Sequence, residues 1–553
     1  MKIKRILSFR KCTLVLVVLV VVAVGLCASR VLPSGALTAT NVSPKSGPTA
    51  GGTTVTITGT DFQQMAGWKQ MVAGDDYTCA LNYGGQFYCW GWNQFGQLGD
   101  GTTVDKDTPT RINSGDLSGK TITAIAAGQS HACAVDTSGR LYCWGTNGYG
   151  QLGDGTNVIS HAPVLINGGD LAGKTVTAVA AGFYHACALT SEGKVYCWGR
   201  NMYGEVGDGT TTQRDVPALA SGGDLAGKTA VAIMADGYRT CAIDTNGRLY
   251  CWGSNSVGQL GDGTTADKHT PTLTNSGDLA GRTIATITGG YHHTCALDTV
   301  NRVYCWGWNQ FGQLGDGTNT DKDTPVLING GDLAGKTVAT LKAGGTYNNG
   351  LTCAIDVSGW LYCWGRNNEG QLGDGITTNK NIPTLINGGA LAGKTTVLVV
   401  GGDRHTCAVD IDNEIYCWGN NSRGQLGDGT TNNHSAPVLV DTSGLSMPPA
   451  ILTVTLGGLE CTNVTIISNT ELTCVTPTHV AGLVDAVVAV NGQTVTLRNA
   501  FEYKDALDAP NSGVGAGNLD ANKLPLLAVA ALILVSSVTL CYNILHEEHR
   551  RGS

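Results

Sequence analysis

Paired cysteines recur along this chain, and the chemistry that their spacing allows is disulfide formation. In each pair the second cysteine comes ten residues after the first and is followed by Trp-Gly. The pairs are Cys79 and Cys89, Cys133 and Cys143, Cys187 and Cys197, Cys241 and Cys251, Cys295 and Cys305, Cys353 and Cys363, and Cys407 and Cys417. Their period is 54 residues, lengthened once to 58. A regular period of this length is typical of repeat proteins, in which each unit packs against its neighbours.

Four histidines share one position of the repeat, two residues before the first cysteine. They are His131, His185, His293 and His405. Metal binding or catalysis is one interpretation of such a set. Structural hydrogen bonding is favoured, because the four lie in different repeats and because Tyr77, Arg239 and Leu351 fill the equivalent places.

Two other patterns suggest ligand chemistry. Residues 168–175, 222–229, 330–337 and 388–395 match a phosphate-binding loop, but such a loop must open a helix, whereas here a strand is predicted to follow. We therefore interpret these segments as linkers between repeats. A set of aspartates could supply oxygen ligands to calcium, although solvated Asp-Gly turns explain them more simply: Asp100, Asp105, Asp107, Asp316, Asp321 and Asp323.

No nucleophile with an adjacent base and an orienting third group is evident in the sequence. The sequence therefore predicts a protein that is not an enzyme, with no catalytic residues, no cofactor and no metal site. The net charge of -8 offers no basic surface for nucleic acid.

The elements that carry the cysteines are short strands. In the second repeat we predict strands at Thr121–Ala127, His131–Asp136, Leu141–Gly145 and Ala162–Ile166, separated by turn residues. Four strands in each of seven repeats predict a seven-bladed β-propeller, which closes into a ring and leaves few exposed strand edges.

The hairpin between the two cysteines gives a sharper prediction. If Cys133 lies opposite Cys143, a three-residue loop remains, and its third residue must tolerate positive φ. The occupants of that position are Gly85, Gly139, Gly193, Gly247, Asn301, Gly359 and Asn413, which are the two residue types that tolerate this conformation best. Facing cysteines at about 4.5 Å between Cα atoms predict seven disulfides within blades.

The repeats also carry a family resemblance. His-x-Cys-Ala, Leu-Tyr-Cys-Trp-Gly and Gly-Gln-Leu-Gly-Asp-Gly, as at residues 131–136, 141–145 and 150–155, resemble the regulator of chromosome condensation repeat family. The resemblance implies a seven-bladed propeller. The founding member of that family promotes guanine nucleotide exchange on a nuclear small GTPase, but fold alone does not carry that activity over.

Both ends of the chain predict a membrane location. Residues 1–29 have the basic-then-apolar form of a signal peptide or signal anchor. Residues 524–545 are apolar and long enough to form a transmembrane helix, residues 505–523 predict a flexible tether, and residues 546–553 predict a cytoplasmic basic tail. We therefore expect a cell-membrane protein whose folded part is extracytoplasmic at the cell surface, where disulfides persist.

The segments on either side of the propeller, residues 40–63 and 450–504, resemble the two parts of one immunoglobulin-like IPT/TIG domain. The propeller, residues 64–449, would then be an insertion, which is permitted because a closed ring brings its own ends together. Cys461 and Cys474 predict a further disulfide in this domain. Two unrelated β-rich flanks are the alternative. The expected fold is thus all-β, with terminal membrane helices.

Positions that differ between repeats are free to serve binding. Residues just after Cys-Trp-Gly, and aromatic residues close to them, predict a binding face: Trp92, Arg200, Trp308, Arg366, Phe95, Tyr149, Tyr203 and Phe311. Trp and Arg are enriched in interface hot spots. Packing of these rings between blades is the alternative interpretation.

The functional hypothesis is a surface-anchored, non-enzymatic binding protein for protein or glycan recognition or adhesion. Its partner would be an unknown extracellular protein or glycan, with membrane attachment through the terminal helices. Three alternatives stay open: an inhibitor of an envelope enzyme, a guanine nucleotide exchange factor, and a structural component of the envelope. The sequence leaves the oligomeric state open.

Overall fold

Strand-forming segments alternate with glycine-rich turns throughout the computed structural model, which describes residues 37–60, 62, 67–345, 349–445, 452–468, 470–490 and 493–505. Three strands come first: β1 (Thr38–Ser43), β2 (Ser46–Pro48) and β3 (Thr54–Thr60). Seven four-stranded antiparallel sheets follow, each formed by consecutive strands. These sheets are the blades predicted from the repeat, so the β-propeller is confirmed.

The blades have these bounds: blade 1, β4 (Trp68–Ala73), β5 (Tyr77–Asn82), β6 (Phe87–Gly91) and β7 (Lys106–Arg111); blade 2, β8 (Ile122–Ala127), β9 (His131–Asp136), β10 (Leu141–Gly145) and β11 (Ser160–Ile166); blade 3, β12 (Val176–Ala181), β13 (His185–Thr190), β14 (Val195–Gly199) and β15 (Arg214–Leu219); blade 4, β16 (Ala230–Asp236), β17 (Arg239–Asp244), β18 (Leu249–Gly253) and β19 (Lys268–Thr274). Blade 5 comprises β20 (Ile284–Gly289), β21 (His293–Asp298), β22 (Val303–Gly307) and β23 (Lys322–Ile328); blade 6, β24 (Val338–Gly344), β25 (Leu351–Asp356), β26 (Leu361–Gly365) and β27 (Lys380–Ile386); blade 7, β28 (Thr396–Gly401), β29 (His405–Asp410), β30 (Ile415–Gly419) and β31 (His434–Leu439).

The predicted hairpin register is confirmed. Cys133 lies opposite Cys143, and the pairs on either side follow as expected. The third loop residue has positive φ in all seven blades, from 67° at Asn301 to 82° at Gly359. The turn residues and the cysteines therefore fix the same register independently.

All seven disulfides predicted within blades are present. Each has 4.1 Å between its two Cα atoms, slightly less than the predicted separation of about 4.5 Å. The bonds join Cys79 to Cys89, Cys133 to Cys143, Cys187 to Cys197, Cys241 to Cys251, Cys295 to Cys305, Cys353 to Cys363, and Cys407 to Cys417. Every blade thus has a covalent link between its second and third strands.

Buried tryptophans hold neighbouring blades together. The indole Nε1 of Trp144 donates a hydrogen bond to the main-chain oxygen of Gln97 in the preceding blade, at 2.9 Å. The same contact closes the ring, because Trp90 of blade 1 donates to the main-chain oxygen of Gln425 in blade 7 at 3.0 Å. The side chains of Trp90 and Trp144 are fully buried, as are those of the equivalent tryptophans. These interfaces between blades thus combine an apolar core with a directed hydrogen bond.

The segments that match a phosphate-binding loop are linkers, as interpreted from the sequence. Residues 168–175 contain a three-residue 3₁₀ turn, Gly169–Leu171, and lead into strand β12. Equivalent turns lie at Gly115–Leu117, Gly223–Leu225, Gly277–Leu279, Gly331–Leu333 and Gly389–Leu391. No α-helix opens at these segments within the described part of the chain, so they lack the helix N-terminus that a phosphate site needs.

Strands from both sides of the propeller in sequence form a separate pair of sheets. The later strands are β32 (Leu452–Leu456), β33 (Leu459–Glu460), β34 (Thr462–Ser468), β35 (Glu471–Val475), β36 (Gly482–Val490) and β37 (Gln493–Lys504). One sheet has the order β1-β3-β35-β34 and the other β2-β37-β36-β32-β33. Their buried side chains form one core, which includes Val55, Ile57, Val488 and Phe501. We call this unit the two-sheet domain.

The predicted disulfide between Cys461 and Cys474 is not formed in this structure. Both residues are buried and carry free thiols. A hydrogen bond between the two thiols lowers the pKa of Cys461. The reason for the difference from the blades is register: Cys474 in β35 pairs with Val55 of β3, and the ladder to β34 shifts between Thr462 and Thr465. These cysteines therefore lack the facing positions that the blade cysteines occupy.

Several sequence predictions lie outside the described residues. These are the signal segment at 1–29, the transmembrane segment at 524–545 and the tail at 546–553, while only Asp505 of the 505–523 tether is described. Within the described ranges, no helix combines the length and the apolar character needed to cross a bilayer.

Candidate functional site

One end of the ring carries most of the residues that differ between repeats. This end carries two loops from each blade, one joining the first strand to the second and one joining the third strand to the fourth. We call it the mouth face. Two positions in the first of these loops vary together around the ring. The inner position holds Asp75, Gln129, Phe183, Gly237, Tyr291, Asn349 and Asp403, and the outer position holds Asp76, Ser130, Tyr184, Tyr238, His292, Gly350 and Arg404.

A cavity of about 270 Å³ lies on the ring axis behind these loops. It is lined by the first strands of all seven blades, with Gln129 and Phe183 at the mouth. Lys342 and Asp236 also lie on its wall. The inner loop position therefore decides what a ligand entering the cavity meets.

Aromatic rings cover the mouth face over blades 2 to 5. Phe183 lies 4.6 Å from Tyr291 and 5.5 Å from Tyr238, measured between ring centroids. The contact between blades 3 and 5 passes over Gly237, where a Cβ would clash with the main-chain oxygen of Tyr291. A side chain at this position would therefore displace the main chain at Tyr291.

The rings continue outward in both directions. Tyr184 contacts Tyr149 at 4.9 Å, and His292 contacts Trp308 at 6.1 Å, which in turn contacts Phe311 at 5.3 Å. Ring contacts of this kind are stabilising beyond the area that they bury. We call the whole set the aromatic arc: Tyr149, Phe183, Tyr184, Tyr203, Tyr238, Tyr291, His292, Trp308 and Phe311.

Two guanidinium groups lie on the aromatic arc. Arg200 lies 4.2 Å from the Tyr238 ring centroid and 4.8 Å from that of Tyr203, and Arg366 lies 5.0 Å from that of Phe311. Arg200 also forms a 3.0 Å ion pair with Glu205, whose side chain is fully buried. Burial raises the pKa of Glu205 to about 7, although the Arg200 charge opposes this shift.

The side chain of the residue after Cys-Trp-Gly forms a hydrogen bond with the side chain of the residue five positions later in several blades. Gln151 donates to Thr146 Oγ1 at 3.1 Å, and Gln425 donates to Asn420 Oδ1 at 2.8 Å. In blade 3 both partners change together, to Arg200 and Glu205. The differences at this position are therefore partly structural, because each side chain is matched to a partner in its own loop.

The structure brings together six of the eight residues predicted for the binding face. Tyr149, Arg200, Tyr203, Trp308, Phe311 and Arg366 lie in or on the aromatic arc. Trp92 and Phe95 form a separate pair at 5.2 Å, with Arg423 nearby. Trp308 and Arg200 are only 7% and 9% exposed, whereas Tyr149 is 41% exposed and the other tyrosines of the arc are half-buried.

The centre of the arc was not predicted from the sequence. Phe183, Tyr184, Tyr238, Tyr291 and His292 lie three or four residues before a cysteine. The comparison between repeats that selected the residues after Cys-Trp-Gly would also have selected these positions, since they differ from blade to blade.

Polar side chains fill the rest of the mouth. Gln129 donates to Asp75 at 3.0 Å, and Asn349 donates to Asp403 at 2.8 Å. Arg404 contacts Asp403 at 3.0 Å and Asp76 at 3.3 Å. The mouth face thus divides into an aromatic part and an acidic part. We call the acidic part the polar arc: Asp75, Asp76, Gln129, Asn349, Asp403 and Arg404.

Four of the six aspartates considered for calcium, Asp100, Asp105, Asp316 and Asp321, accept hydrogen bonds from the protein itself. Asp100 accepts hydrogen bonds from Asn93 and Thr102 and lies 3.4 Å from the Lys106 ammonium. Asp105 accepts a bond from the main-chain nitrogen of Asn93. Among the described residues, no group of His, Cys, Asp and Glu has the arrangement of a metal site.

Comparison with known proteins agrees with this architecture. A model of the RCC1-like domain matches residues 39–391, and models of the regulator of chromosome condensation (RCC1) repeat match residues 397–425 and 412–458. The chain belongs to the RCC1 repeat family.

Two curated relatives of this RCC1-repeat propeller show how widely the repeat is used. The ultraviolet-B receptor UVR8 of Arabidopsis thaliana is 36% identical over 320 residues, which are 57% of this chain and 69% of the receptor. The E3 ubiquitin-protein ligase HERC2 of Homo sapiens is 31% identical over 382 residues, which are 68% of this chain but 8% of the ligase.

Solved structures show the same fold. Human WBSCR16 superposes with a TM-score of 0.56 at 20% identity, covering 70% of this chain and 99% of that one. Yeast RCC1 (Prp20), solved bound to Kap60, gives a TM-score of 0.56 at 21% identity and covers 79% of this chain and 93% of that one. At these identities the likeness concerns the fold alone.

Three of the four repeated histidines, His185, His293 and His405, join neighbouring blades through a ring hydrogen bond, whereas neither ring nitrogen of His131 forms one. Nε2 of His185 lies 3.0 Å from Thr240 Oγ1, and Nε2 of His405 lies 2.7 Å from Thr78 Oγ1 across the ring closure. Burial lowers the pKa of His185 and of His405 to about 3. His185, His293 and His405 are therefore neutral, buried groups with the structural hydrogen bonds that the favoured interpretation expected, and His131 is buried without such a bond.

In blade 4, Arg239 occupies the position of this histidine. Three residues earlier, Asp236 occupies the position that Gly182 has in blade 3. The two residues are register partners. Arg239 is fully buried and donates to Thr294 Oγ1 and to the main-chain oxygens of Gly290 and Tyr291, at 2.9 to 3.0 Å. Burial raises the pKa of Asp236 to about 7, and the guanidinium opposes this shift. The two substitutions therefore compensate each other in charge.

Single substitutions in this pair are expected to cost more than the double substitution. Arg239→His or Asp236→Gly alone leaves one charge without its partner, at a cost of about 3 kcal/mol in the free energy of unfolding. The double variant restores the pattern of blade 3 and should lose less than the sum of the two. Urea unfolding of the three variants measures this coupling, and additive losses would contradict it.

Proposed function

We propose that this chain is a surface-anchored, non-enzymatic protein-binding propeller whose contact surface is the mouth face. The observation that carries this proposal is the aromatic arc, where tyrosines, Trp308 and two arginines gather at one end of the ring. Tyr, Trp, Phe, Met and Arg are the residue types enriched at the centres of protein interfaces. Met202, beside Tyr203, is 63% exposed and adds to the same surface.

Membership of the RCC1 repeat family supports a binding role. The match to HERC2 spans 8% of that ligase, so its ligase activity is not proposed for this chain. Exchange activity is not proposed either, because no observation in the described residues favours it over binding.

The location at the cell surface is part of the same proposal. It rests on the apolar runs at residues 12–28 and 524–545 of the sequence. We further propose that the two-sheet domain is an immunoglobulin-like IPT/TIG domain that carries the propeller on a membrane anchor. The pairing of β3 with β35, on opposite sides of the propeller in sequence, supports one domain rather than two flanks.

Loss of the central tyrosines is expected to weaken partner capture strongly. Full-length chain is cross-linked on intact cells, and the captured protein is identified and then quantified for the double variant Tyr184→Ala plus Tyr238→Ala. Hot-spot residues of this kind cost at least about 2 kcal/mol, so the affinity should fall about 30-fold.

A matched control lies at the other end of the ring. Trp360 is 37% exposed next to the hairpin turn that joins β25 and β26, away from the mouth face. Trp360→Ala should capture the partner normally. Equal capture by the mouth variant and this control would reject the mouth face as the contact surface. If the partner is an envelope enzyme that loses activity when bound, the inhibitor alternative is favoured over adhesion.

A further inference from the structure

Two thiols lie side by side in the core of the two-sheet domain. Thr462 of β34 pairs with Val475 of β35; Thr462 is exposed and Val475 is half-buried. Cys461 and Cys474 come immediately before these partners in sequence, and both belong to the buried core, as the alternation of side chains along a strand requires. The two cysteines therefore face the same core, where their thiols are hydrogen-bonded to each other.

The main chains of the two cysteines are held by different sheets. The nitrogen of Cys461 donates to the main-chain oxygen of Val454 in β32, at 2.8 Å. Cys474 lies in β35, which belongs to the other sheet, and pairs with Val55 of β3. A bond between the two sulfurs would therefore join the two sheets covalently.

The two thiols differ in reactivity. Cys461 is 8% exposed, whereas Cys474 is fully buried. The hydrogen bond between them lowers the pKa of Cys461 and raises that of Cys474. Tyr503 of the same core stays neutral beside them, because burial raises its pKa to about 12. Oxidation of a cysteine follows its thiolate character and its exposure, so Cys461 is the thiol that reacts first and Cys474 is placed to react with the product.

We propose that Cys461 and Cys474 form a peroxide-responsive thiol pair that fastens the two sheets together when it is oxidised. The Cys461 sulfur attacks one oxygen of hydrogen peroxide, the O–O bond breaks, and the leaving hydroxide takes up the thiol proton to form water. Cys461 is then a sulfenic acid. The Cys474 sulfur attacks the Cys461 sulfur, the S–O bond breaks, and the leaving hydroxide takes up the Cys474 proton. Two thiols are thus oxidised to one disulfide, while one peroxide is reduced to two waters.

The pair is tested on the full-length chain with hydrogen peroxide as the oxidant. The treated chain is unfolded in urea without a reductant, alkylated and measured by mass. Labelling of Cys461 and Cys474 should be lost, with a mass decrease of two hydrogen atoms. In Cys474→Ser, dimedone should trap a sulfenic acid at Cys461, whereas in Cys461→Ser the remaining Cys474 should react at least about tenfold more slowly.

A blade provides the matched control. Cys187→Ala leaves Cys197 as a single thiol, and Cys197 is fully buried. Dimedone trapping at Cys197 should also be at least about tenfold slower than at Cys461. Circular dichroism checks that each variant is folded.

Hydrogen exchange measures whether the oxidised pair fastens the domain. Amides of β35 should exchange at least about tenfold more slowly in the oxidised chain than in the reduced chain. Four results would overturn the inference: retained labelling of both cysteines after peroxide, equal trapping at Cys461 and Cys474 in the two serine variants, disulfide-linked dimers of the chain, and unchanged exchange in β35. The first, third and fourth are measured without substitutions, so they do not depend on how a variant folds. The pair lies outside the mouth face, so failure of this inference leaves the proposed binding function untouched.

Discussion

Reduction of the folded protein is expected to unfold the ring. Each disulfide closes a short loop and is worth about 2.5–3 kcal/mol in the chain-entropy model. The seven bonds together contribute about 20 kcal/mol, which exceeds the roughly 5–15 kcal/mol of net stability typical of folded proteins. Urea unfolding with and without a phosphine reductant should show the loss of the cooperative transition.

One pair isolates the contribution of a single bond. Replacing both Cys187 and Cys197 by alanine should lower the free energy of unfolding by about 3 kcal/mol. Cys474→Ala serves as the control, since it removes a free thiol from the two-sheet domain and no disulfide. Alkylation of the protein unfolded in urea without a reductant, followed by mass measurement, should label Cys461 and Cys474 and leave the blade cysteines unlabelled. Labelling of blade cysteines under these unreduced conditions would contradict this account.

Acidification from pH 6.5 to pH 4.5 is expected to be the second large perturbation. Burial lowers the pKa of His131 and His292 to about 4 and that of His185, His293 and His405 to about 3. The unfolded chain protonates them near 6.5, so it binds more protons than the folded chain in this window. The stability that neutral histidines provide is therefore complete above pH 6.5 and is lost as the pH falls.

Carboxyl groups oppose part of this effect. Burial raises the pKa of Glu205 and of Asp236 to about 7, so the folded chain holds these protons more tightly between about pH 4 and 7. On unfolding in this pH range, the five histidines take up about five protons and the two carboxyl groups release about two. The net uptake is therefore about three protons. The free energy of unfolding should then fall by about 3–4 kcal/mol per pH unit.

A substitution already present in another blade tests the histidine contribution. Blade 6 has Leu351 where blade 2 has His131, so His131→Leu should fold and should reduce the pH slope by about one proton. An unchanged slope in His131→Leu would show that this histidine is not the source.

The blade was predictable from sequence because several local rules agreed on one register. Asn301 and Asn413 replaced glycine where the hairpin requires positive φ, and the cysteines faced each other in the same alignment. The thiols in the two-sheet domain had no such second signal. Their β34–β35 ladder shifts register, and spacing alone does not reveal that shift.

The candidate site was predictable only in part, because its contacts join different blades. Arg200 was selected from the sequence as a surface residue, but its pairing with Glu205 and its position over Tyr238 depend on how blades 3 and 4 pack. Phe183 reaches Tyr291 over Gly237, a contact between residues more than one repeat apart. Periodicity gives the loop position, while closure of the ring decides which side chains meet.

The pairing of β3 with β35 has a mechanical consequence. The propeller lies between β3 and β35 in sequence, and these two strands are hydrogen-bonded to each other. A force applied between residues 37 and 503 would therefore act on this ladder and on the other strands of the two-sheet domain. The propeller lies outside the path of the force. A molecule stretched between these two points would keep its mouth face undistorted until those ladders give way.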